Sequence, residues 1–251
     1  MSLSRILYQF PISHYCEKSR WQLDYKQLPY QAVNLLPGPH RLRTRLLAGS
    51  DTLPLLRDGK RLINDSTKIA YYLEKYYPQR PLLPESGAAR RQVIELEQQF
   101  DRYGVAVRRW VYGLTLDQPQ LMTVFFAPYR LPGWLKAAYA PLMKRLLKRG
   151  YGIRPEVMAA TAARVQEGLA LIEARIQGDP DCYLVGDQLT LADITAASMY
   201  APLLAIAGTP WGALGSEQAT DAAQAQAQLQ PLRESIGGQW VARRYQQDRA
   251  H

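Results

Sequence analysis

The chain has 251 residues, of which 47% are hydrophobic and 21% are charged, with a formal net charge of +9. This composition is typical of a folded globular protein and unlike a disordered one, and the length favours two domains. The chain lacks a long uninterrupted apolar run and a signal-peptide pattern, so we expect a cytoplasmic protein. Its two cysteines, Cys16 and Cys182, form no disulfide framework and have no metal-ligand spacing with the histidines, so no metal is expected.

The first eighty residues alternate between strand-like and helix-like segments. Asp58 and Gly59 favour a tight hairpin, and Asp65 or Ser66 can cap the helix that follows it. Hydrophobic patterning predicts strands at residues 5–10, 31–35, 53–57 and 61–63, and helices at 15–26, from the 37–39 turn to 48, and at 65–77. The pattern predicts an α/β domain of βαβαββα order over residues 1–80.

A second, helical domain is predicted over residues 88–251, after a linker rich in proline and glycine at 81–87. Strand signals are almost absent there, and Thr190 and Asp193 have the spacing of a helix capping box. Helical spacing predicts helices at 88–116, 154–176, 191–207 and 231–246.

An insertion is predicted at about 117–153, because this connection is longer than a simple helix-to-helix turn. Residues 141–149 have the pattern of an amphipathic helix with a cationic face. We expect it to pack on the core with its basic side in solvent; the alternatives are a pocket cover, a partner contact, or a weak contact of residues 134–149 with an anionic membrane surface. Seven aromatic residues are candidates for an apolar acceptor site: Tyr103, Trp110, Tyr112, Phe125, Phe126, Tyr129 and Trp134.

Four short motifs resemble the glutathione transferase superfamily. Residues 11–18, Pro-Ile-Ser-His-Tyr-Cys-Glu-Lys, are similar to the glutaredoxin-type C-P-Y-C segment, with Ser13 in place of the first cysteine. Residues 52–56, Thr-Leu-Pro-Leu-Leu, are similar to a T-V-P-V-L motif whose proline is cis. The pair Asp65–Ser66 and residues 187–193 resemble two helix starts of the superfamily. The resemblance covers nearly the whole chain and implies a thioredoxin-like N-terminal domain, an all-α C-terminal domain, glutathione as co-substrate and a homodimer.

Ser13 is the candidate catalytic residue. It stands just before the first predicted helix, where free N–H groups and the positive end of the helix dipole favour an anion, and its hydroxyl can donate to a thiolate. A free thiol with a pKa near 8.5 is mostly protonated at neutral pH, so stabilisation of the thiolate increases the reactive fraction. A plain N-cap is the simpler interpretation. Tyr8 and Cys16 are the alternative catalytic residues, although the sequence favours packing roles for both.

The resemblance also implies a glutathione site. Leu53, before a cis Pro54, would offer its backbone N–H and C=O to the cysteinyl part of an extended peptide. Ser66 and the helix N-terminus would receive the γ-glutamyl carboxylate, and Asp65 the ammonium. His40, with Arg41 or Arg43 near it, falls where the superfamily often has a basic group on the glycyl carboxylate.

These features predict a glutathione transferase that conjugates the glutathione thiolate to a small apolar electrophile. A glutathione-dependent peroxidase or thiol transferase would use the same thiolate. A non-catalytic ligand-binding or membrane-surface adaptor of the same fold is the third possibility. The positive charge favours anionic partners, but the basic residues are dispersed and no nucleic-acid motif accompanies them, so nucleic acid is not an expected partner.

Overall fold

A computed structural model describes residues 5–85, 87–212 and 223–249, so residues 1–4 of the predicted first domain and Ser86 of the predicted linker lie outside the described residues. The N-terminal region has the predicted βαβαββα order. Its elements are β1 (Arg5–Gln9), α1 (His14–Tyr25), β2 (Gln31–Asn34), α2 (His40–Ala48), β3 (Leu55–Asp58), β4 (Arg61–Asn64) and α3 (Ser66–Tyr76).

The four strands form one mixed sheet in the order β2-β1-β3-β4. Strand β1 pairs parallel with β2 and antiparallel with β3, and β3 and β4 form the predicted hairpin. Gly59 in that turn has a φ of 59°, which glycine adopts without steric cost. Because strand side chains alternate between faces, Leu7 packs with α1 and α3 on one face while Tyr8 packs towards α2 on the other.

The described part of the C-terminal region contains helices and no strand, as predicted. Every residue of its central helix from Leu191 to Leu203 is buried. The predicted capping box starts this helix, since the Thr190 N–H donates to Asp193 Oδ2 at 2.8 Å. The helices are α4 (Gly87–Thr115), α5 (Pro119–Phe126), α6 (Gly133–Gly150), α7 (Pro155–Ile176), α8 (Leu191–Leu204), α9 (Ala223–Glu234) and α10 (Ile236–Gln247).

The structure corrects three of the predicted helices. The insertion contains two helices, and the second begins at Gly133 instead of residue 141, with Pro141 inside it. The single helix predicted at 231–246 is wrong, because the Ser235 hydroxyl accepts from the Gly238 N–H at 3.1 Å and starts a new helix. The helix predicted to reach residue 207 ends at Leu204, since Ala205 has a φ of 49°.

A buried ionic cluster joins the two regions. The Lys18 ammonium on α1 lies 2.5 Å from Glu97 and 3.1 Å from Asp101, both on α4, and donates to the Thr67 hydroxyl on α3 at 3.1 Å. Lys18 and Glu97 are fully buried. The cluster therefore fixes the start of α1 relative to both regions. Among the described residues, no helix combines the length and the hydropathy needed to cross a bilayer.

Candidate active site

A cavity of about 690 Å³ lies between the N-terminal region and helices α4 and α6. The loop before α1, the start of α2 and the loop before β3 form its N-terminal side. Its lining includes Ser13, His14, His40, Arg41 and Leu53 from that side, and Arg108, Tyr112, Phe125, Leu147, Tyr151 and Trp211 from the helical side. Three of the predicted site residues, Ser13, His40 and Leu53, are thus brought to one cavity.

Ser13 is both a helix cap and part of the cavity lining. It has extended backbone angles, and its side-chain oxygen accepts from the Cys16 N–H at 3.4 Å. Its own N–H donates to the carbonyl of Phe10 at 3.0 Å, which fixes the turn before α1. The cap uses the hydroxyl as an acceptor, and the hydroxyl proton has the neighbouring Cys16 side chain or a bound ligand as its acceptor. The first N–H groups of α1 add a positive potential at the same place.

Tyr8 and Cys16 lie elsewhere. The Tyr8 ring is 4% exposed and packs with Leu35 and Leu55, with the Arg43 guanidinium 5.2 Å from its centre. Cys16 is fully buried, and this burial raises the pKa of its thiol. Neither residue lines the cavity. Both therefore have the packing environments that their positions in the sequence favoured.

The predicted glutathione-binding residues cluster at the end of the sheet. The Leu53–Pro54 peptide bond is cis, as the sequence motif implied. The Asp65 N–H donates to the Pro54 carbonyl at 3.2 Å, so the start of α3 lies beside this turn. The Asp65 carboxylate caps α3 by accepting from two backbone N–H groups, and Ser66 is buried. Of these four residues, only Leu53 lines the cavity.

The His40 side chain is held by neighbouring groups of its own loop, which the sequence did not indicate. Its Nδ1 accepts from the Gly38 N–H at 3.0 Å, and its ring lies edge-on to Phe10 with centroids 4.7 Å apart. Burial and the neighbouring Arg41 lower its pKa, so the imidazole is neutral near pH 7. Gly38 has a φ of 93° and faces the Tyr139 hydroxyl, which leaves no room for a side chain. Arg41 therefore carries the positive charge at this corner.

His14 and Arg108 are cavity residues that the sequence analysis missed. His14 is 3% exposed, and its Nε2 has no hydrogen-bond partner among the described residues. Burial, followed by the charge of Arg108, lowers its pKa well below the ordinary value, so the imidazole is neutral. The Arg108 guanidinium lies 4.3 Å from the centre of the Tyr151 ring, and its Nε also has no partner in the described part of the chain.

Two signals point to these residues in retrospect. His14 follows Ser13 directly. Arg108 precedes the aromatic candidate Tyr112 by one helical turn, which puts Arg108 and Tyr112 on the same face of α4.

Of the seven aromatic candidates, Tyr112 and Phe125 line the cavity, whereas Trp134 is 73% exposed. No group of three His, Cys, Asp or Glu side chains that would suit a metal ion occurs within the described ranges.

Comparison with known families matches both parts of the chain. Residues 7–81 match the glutathione S-transferase N-terminal domain, and residues 155–216 match the glutathione S-transferase C-terminal domain. Taken with the mixed sheet and the helical region, these matches define the class: the chain belongs to the glutathione S-transferase family.

Two curated relatives are similar to parts of the chain. The chain is 38% identical over 99 residues to a probable maleylacetoacetate isomerase of Vibrio cholerae, an alignment that covers 38% of this chain and 46% of the relative. It is 25% identical over 179 residues to a zeta-class glutathione S-transferase of Euphorbia esula, with 68% and 61% covered. The chain therefore spans less than two thirds of the length of each of these relatives.

Solved structures confirm the fold class. The glutathione transferase GSTFuA3 of Phanerochaete chrysosporium has a TM-score of 0.64 at 19% identity, with 98% of each chain covered. A glutathione S-transferase of Methylobacterium radiotolerans, solved in complex with glutathione sulfonate, has a TM-score of 0.56 at 22% identity, with 93% of this chain and 92% of that chain covered.

Proposed function

We propose that the protein is a glutathione-dependent transferase in which Ser13 stabilises the glutathione thiolate beside an electrophile in the cavity. The observation that carries the proposal is the position of the Ser13 hydroxyl, which caps α1 and lines the cavity at once. Arg41, Arg108 and Arg149 also line the cavity, against one acidic residue, Asp51. This positive surplus suits glutathione, whose carboxylates and thiolate are anionic.

The thiolate is stabilised by the Ser13 hydroxyl proton and by the N-terminus of α1. A hydrogen bond to a charged group contributes about 1.5–3 kcal/mol, which corresponds to roughly one to two pKa units on the thiol. Glutathione bound with its sulfur at Ser13 is thus a substantially ionised nucleophile at neutral pH.

Glutathione binds as an extended peptide along the loop before β3. Leu53 lies outside the β3 pairing, which begins at Leu55, so its backbone groups are not committed to the sheet. The γ-glutamyl end lies at Asp65 and Ser66, where the first turn of α3 favours a carboxylate. Arg41 pairs with the glycyl carboxylate, and His40 holds the loop that presents Arg41.

The electrophile occupies the helical side of the cavity, against Tyr112 and Phe125. The thiolate attacks its electrophilic carbon, a C–S bond forms, and the leaving group departs with its bonding electron pair. The neutral His14 imidazole, which lines the cavity next to Ser13, gives this wall an uncharged polar group.

A second candidate function is glutathione-dependent isomerisation of an unsaturated carboxylate. The name of the Vibrio cholerae relative supports it, since maleylacetoacetate is a carboxylate by its chemical name. Arg108 and Arg149 in the cavity lining suit such a substrate. In this reaction the thiolate adds to the double bond, rotation follows, and elimination returns the thiolate, so no leaving group is needed.

Turnover with glutathione and a small apolar electrophile tests the proposal. Ser13→Gly removes the hydroxyl but costs only a few tenths of a kcal/mol as a cap, so any larger loss of turnover reflects the hydroxyl. We expect Ser13→Gly to lower kcat/KM about tenfold or more, while Ser13→Thr, which keeps a hydroxyl, and Cys16→Ala retain most of it.

Other outcomes of this experiment identify the alternatives. Loss of turnover in Cys16→Ala or Tyr8→Phe, with Ser13→Gly unaffected, would show that the altered residue, and not Ser13, is catalytic. Turnover with a hydroperoxide or a disulfide in place of the electrophile would indicate the peroxidase or thiol transferase. Retention on immobilised glutathione without any turnover would indicate a non-catalytic adaptor.

We extend the proposal to a homodimer. Leu62 on the edge strand β4 and Tyr71 and Tyr76 on α3 are partly exposed, which supports an apolar contact on that side of the N-terminal region. Light scattering during gel filtration would measure twice the mass of one chain.

A further inference from the structure

Helix α6 exposes apolar side chains along one face. Trp134, Leu142 and Leu146 are 73%, 51% and 47% exposed, and their spacing of eight and then four residues puts them on one stripe. Met143 and Leu147, each one residue further along and therefore about 100° round the helix, are buried against the core. The helix is thus anchored by one apolar face and presents a second apolar face to solvent.

Helix α2 repeats this pattern. Leu42 and Leu46, one helical turn apart, are 68% and 79% exposed, whereas Thr44 on the other side is buried. Large exposed apolar side chains that cluster in this way mark interaction surfaces more often than isolated ones do. Neither leucine lines the cavity, so the fold and the proposed site do not explain their exposure.

The two helices meet at the mouth of the cavity. Arg41 of α2 and Leu146 and Arg149 of α6 line the same cavity. The Tyr139 hydroxyl on α6 also donates to the carbonyl of Pro37, just before α2. Helices α2 and α6 therefore form one continuous border, here called the cavity rim and defined as residues 40–48 and 133–150.

The cavity rim is strongly basic. Helix α2 carries three arginines and α6 carries five lysines or arginines, and neither helix contains an aspartate or glutamate. The nearest acidic side chain in sequence, Asp51, pairs with Arg45 at 3.1 Å. Protruding Leu and Trp side chains among Lys and Arg are the features with which amphipathic helices bind anionic lipid.

We propose that the cavity rim docks on an anionic lipid surface, with the mouth of the cavity towards the headgroups. A lipid surface fits better than a protein partner because the apolar side chains project from two helices and form no groove. A headgroup layer accepts projecting side chains, while a protein would need a matching concave surface. The docking is independent of the glutathione chemistry proposed for Ser13.

Tryptophan fluorescence tests this proposal directly. The chain has five tryptophans, and the four other than Trp134 are at most 5% exposed. Because these four are already shielded from water, docking should leave their emission nearly unchanged, and a shift would report on Trp134. Vesicles of phosphatidylcholine with phosphatidylglycerol should shift the emission to the blue and carry the full-length protein in flotation. Vesicles of pure phosphatidylcholine should do neither, and salt should weaken the effect. Trp134→Phe should remove the blue shift.

Variants with a matched control locate the contact. Leu42→Ser combined with Leu46→Ser should weaken vesicle binding about tenfold or more, since two apolar side chains leave the lipid. Ile236→Ser, at an apolar side chain on α10 that is 42% exposed and lies outside the cavity rim, should leave binding unchanged. Absence of flotation with anionic vesicles, or equal weakening by Ile236→Ser, would overturn the proposal. So would self-association that the leucine variants abolish, because the rim would then belong to a second copy of the chain.

Discussion

Two buried polar sites lie about one turn apart on α1 and differ in how their groups are paired. At Lys18, all three donors of the ammonium have acceptors, on Glu97, Asp101 and Thr67, and the atom left over is the second carboxylate oxygen of Glu97, which has no partner among the described residues. At His14, by contrast, Nε2 has no partner among the described residues, and the nearby Arg108 leaves its Nε unpaired. The first site joins two regions of the protein, and the second lines a cavity.

A missing hydrogen bond does not by itself mark a ligand site, because Glu97 Oε2 also has no partner among the described residues; what sets His14 and Arg108 apart is that their side chains line the cavity. A buried polar atom without a hydrogen bond costs about 1–3 kcal/mol, and such atoms are uncommon in folded proteins. A ligand that supplies the missing partner recovers part of that cost. The place of His14 and Arg108 in the cavity lining supports a binding role for this wall, while Lys18, which lies away from the cavity and joins three helices, has a structural role.

The largest expected effect follows from breaking the paired site. Lys18→Met leaves the buried Glu97 carboxylate without its counter-ion, so we expect the free energy of unfolding to fall by about 3–5 kcal/mol. Denaturant unfolding measures this change, and Lys60→Met, at an exposed lysine, is the matched control. Replacing Glu97 by Met as well should restore part of the loss. A Lys18→Met protein as stable as its parent would contradict a structural role.

A smaller and more selective effect is expected at the unpaired site. Arg108→Gln should raise KM about tenfold for electrophiles that bear a carboxylate, because a charged hydrogen bond is lost, and should change KM for neutral ones little. Arg102→Gln, at an exposed arginine on the same helix, is the control. Equal effects on charged and neutral electrophiles would show that Arg108 only shapes the cavity.

The smallest effect concerns pH. The pKa of His14 is depressed in the folded state, so above its ordinary value of 6.5 the imidazole is neutral in both states. Below pH 6.5 the unfolded chain takes up a proton that the folded protein excludes, and stability falls by at most about 1.4 kcal/mol per pH unit. His14→Gln should flatten this dependence of unfolding free energy on pH.

The other titrating groups contribute equally to the pH dependence of the parent and of His14→Gln, so their contributions cancel when the two proteins are compared. The main one is Asp193, whose burial raises its pKa to about 6, so the folded state gains a proton as pH falls from 6 and stability changes in the opposite direction. Asp193 is present in both the parent and His14→Gln. The same slope in both proteins between pH 6.5 and 5 would mean that the imidazole is solvated.

Local sequence signals predicted most of the fold. Alternating apolar residues, the Asp58–Gly59 turn and the Thr190–Asp193 cap each act within a few residues, so they could be identified without tertiary information. Helix α6 was predicted too short because Gly133 and Pro141 are helix-breaking signals, which packing of Met143 and Leu147 outweighs.

The site was predictable only in part. Ser13 and Leu53 stand in motifs that are continuous in sequence, so their positions followed from the resemblance. The proximity of His14 and Arg108 depends on how α1 packs against α4, about ninety residues later in the chain, and no local pattern encodes this. The local role of His40 was likewise not predictable, because the hydrogen bond that its Nδ1 accepts from Gly38 is not visible in the sequence.

The pKa of the glutathione thiol in its complex with the protein tests the central claim most directly. Ultraviolet absorbance of the thiolate, followed as a function of pH, measures it for the parent, Ser13→Gly and Ser13→Thr. In the parent and in Ser13→Thr we predict a pKa about one to two units below the value of a free thiol, and in Ser13→Gly a return most of the way to that value. An equally depressed pKa in Ser13→Gly would contradict the role of Ser13.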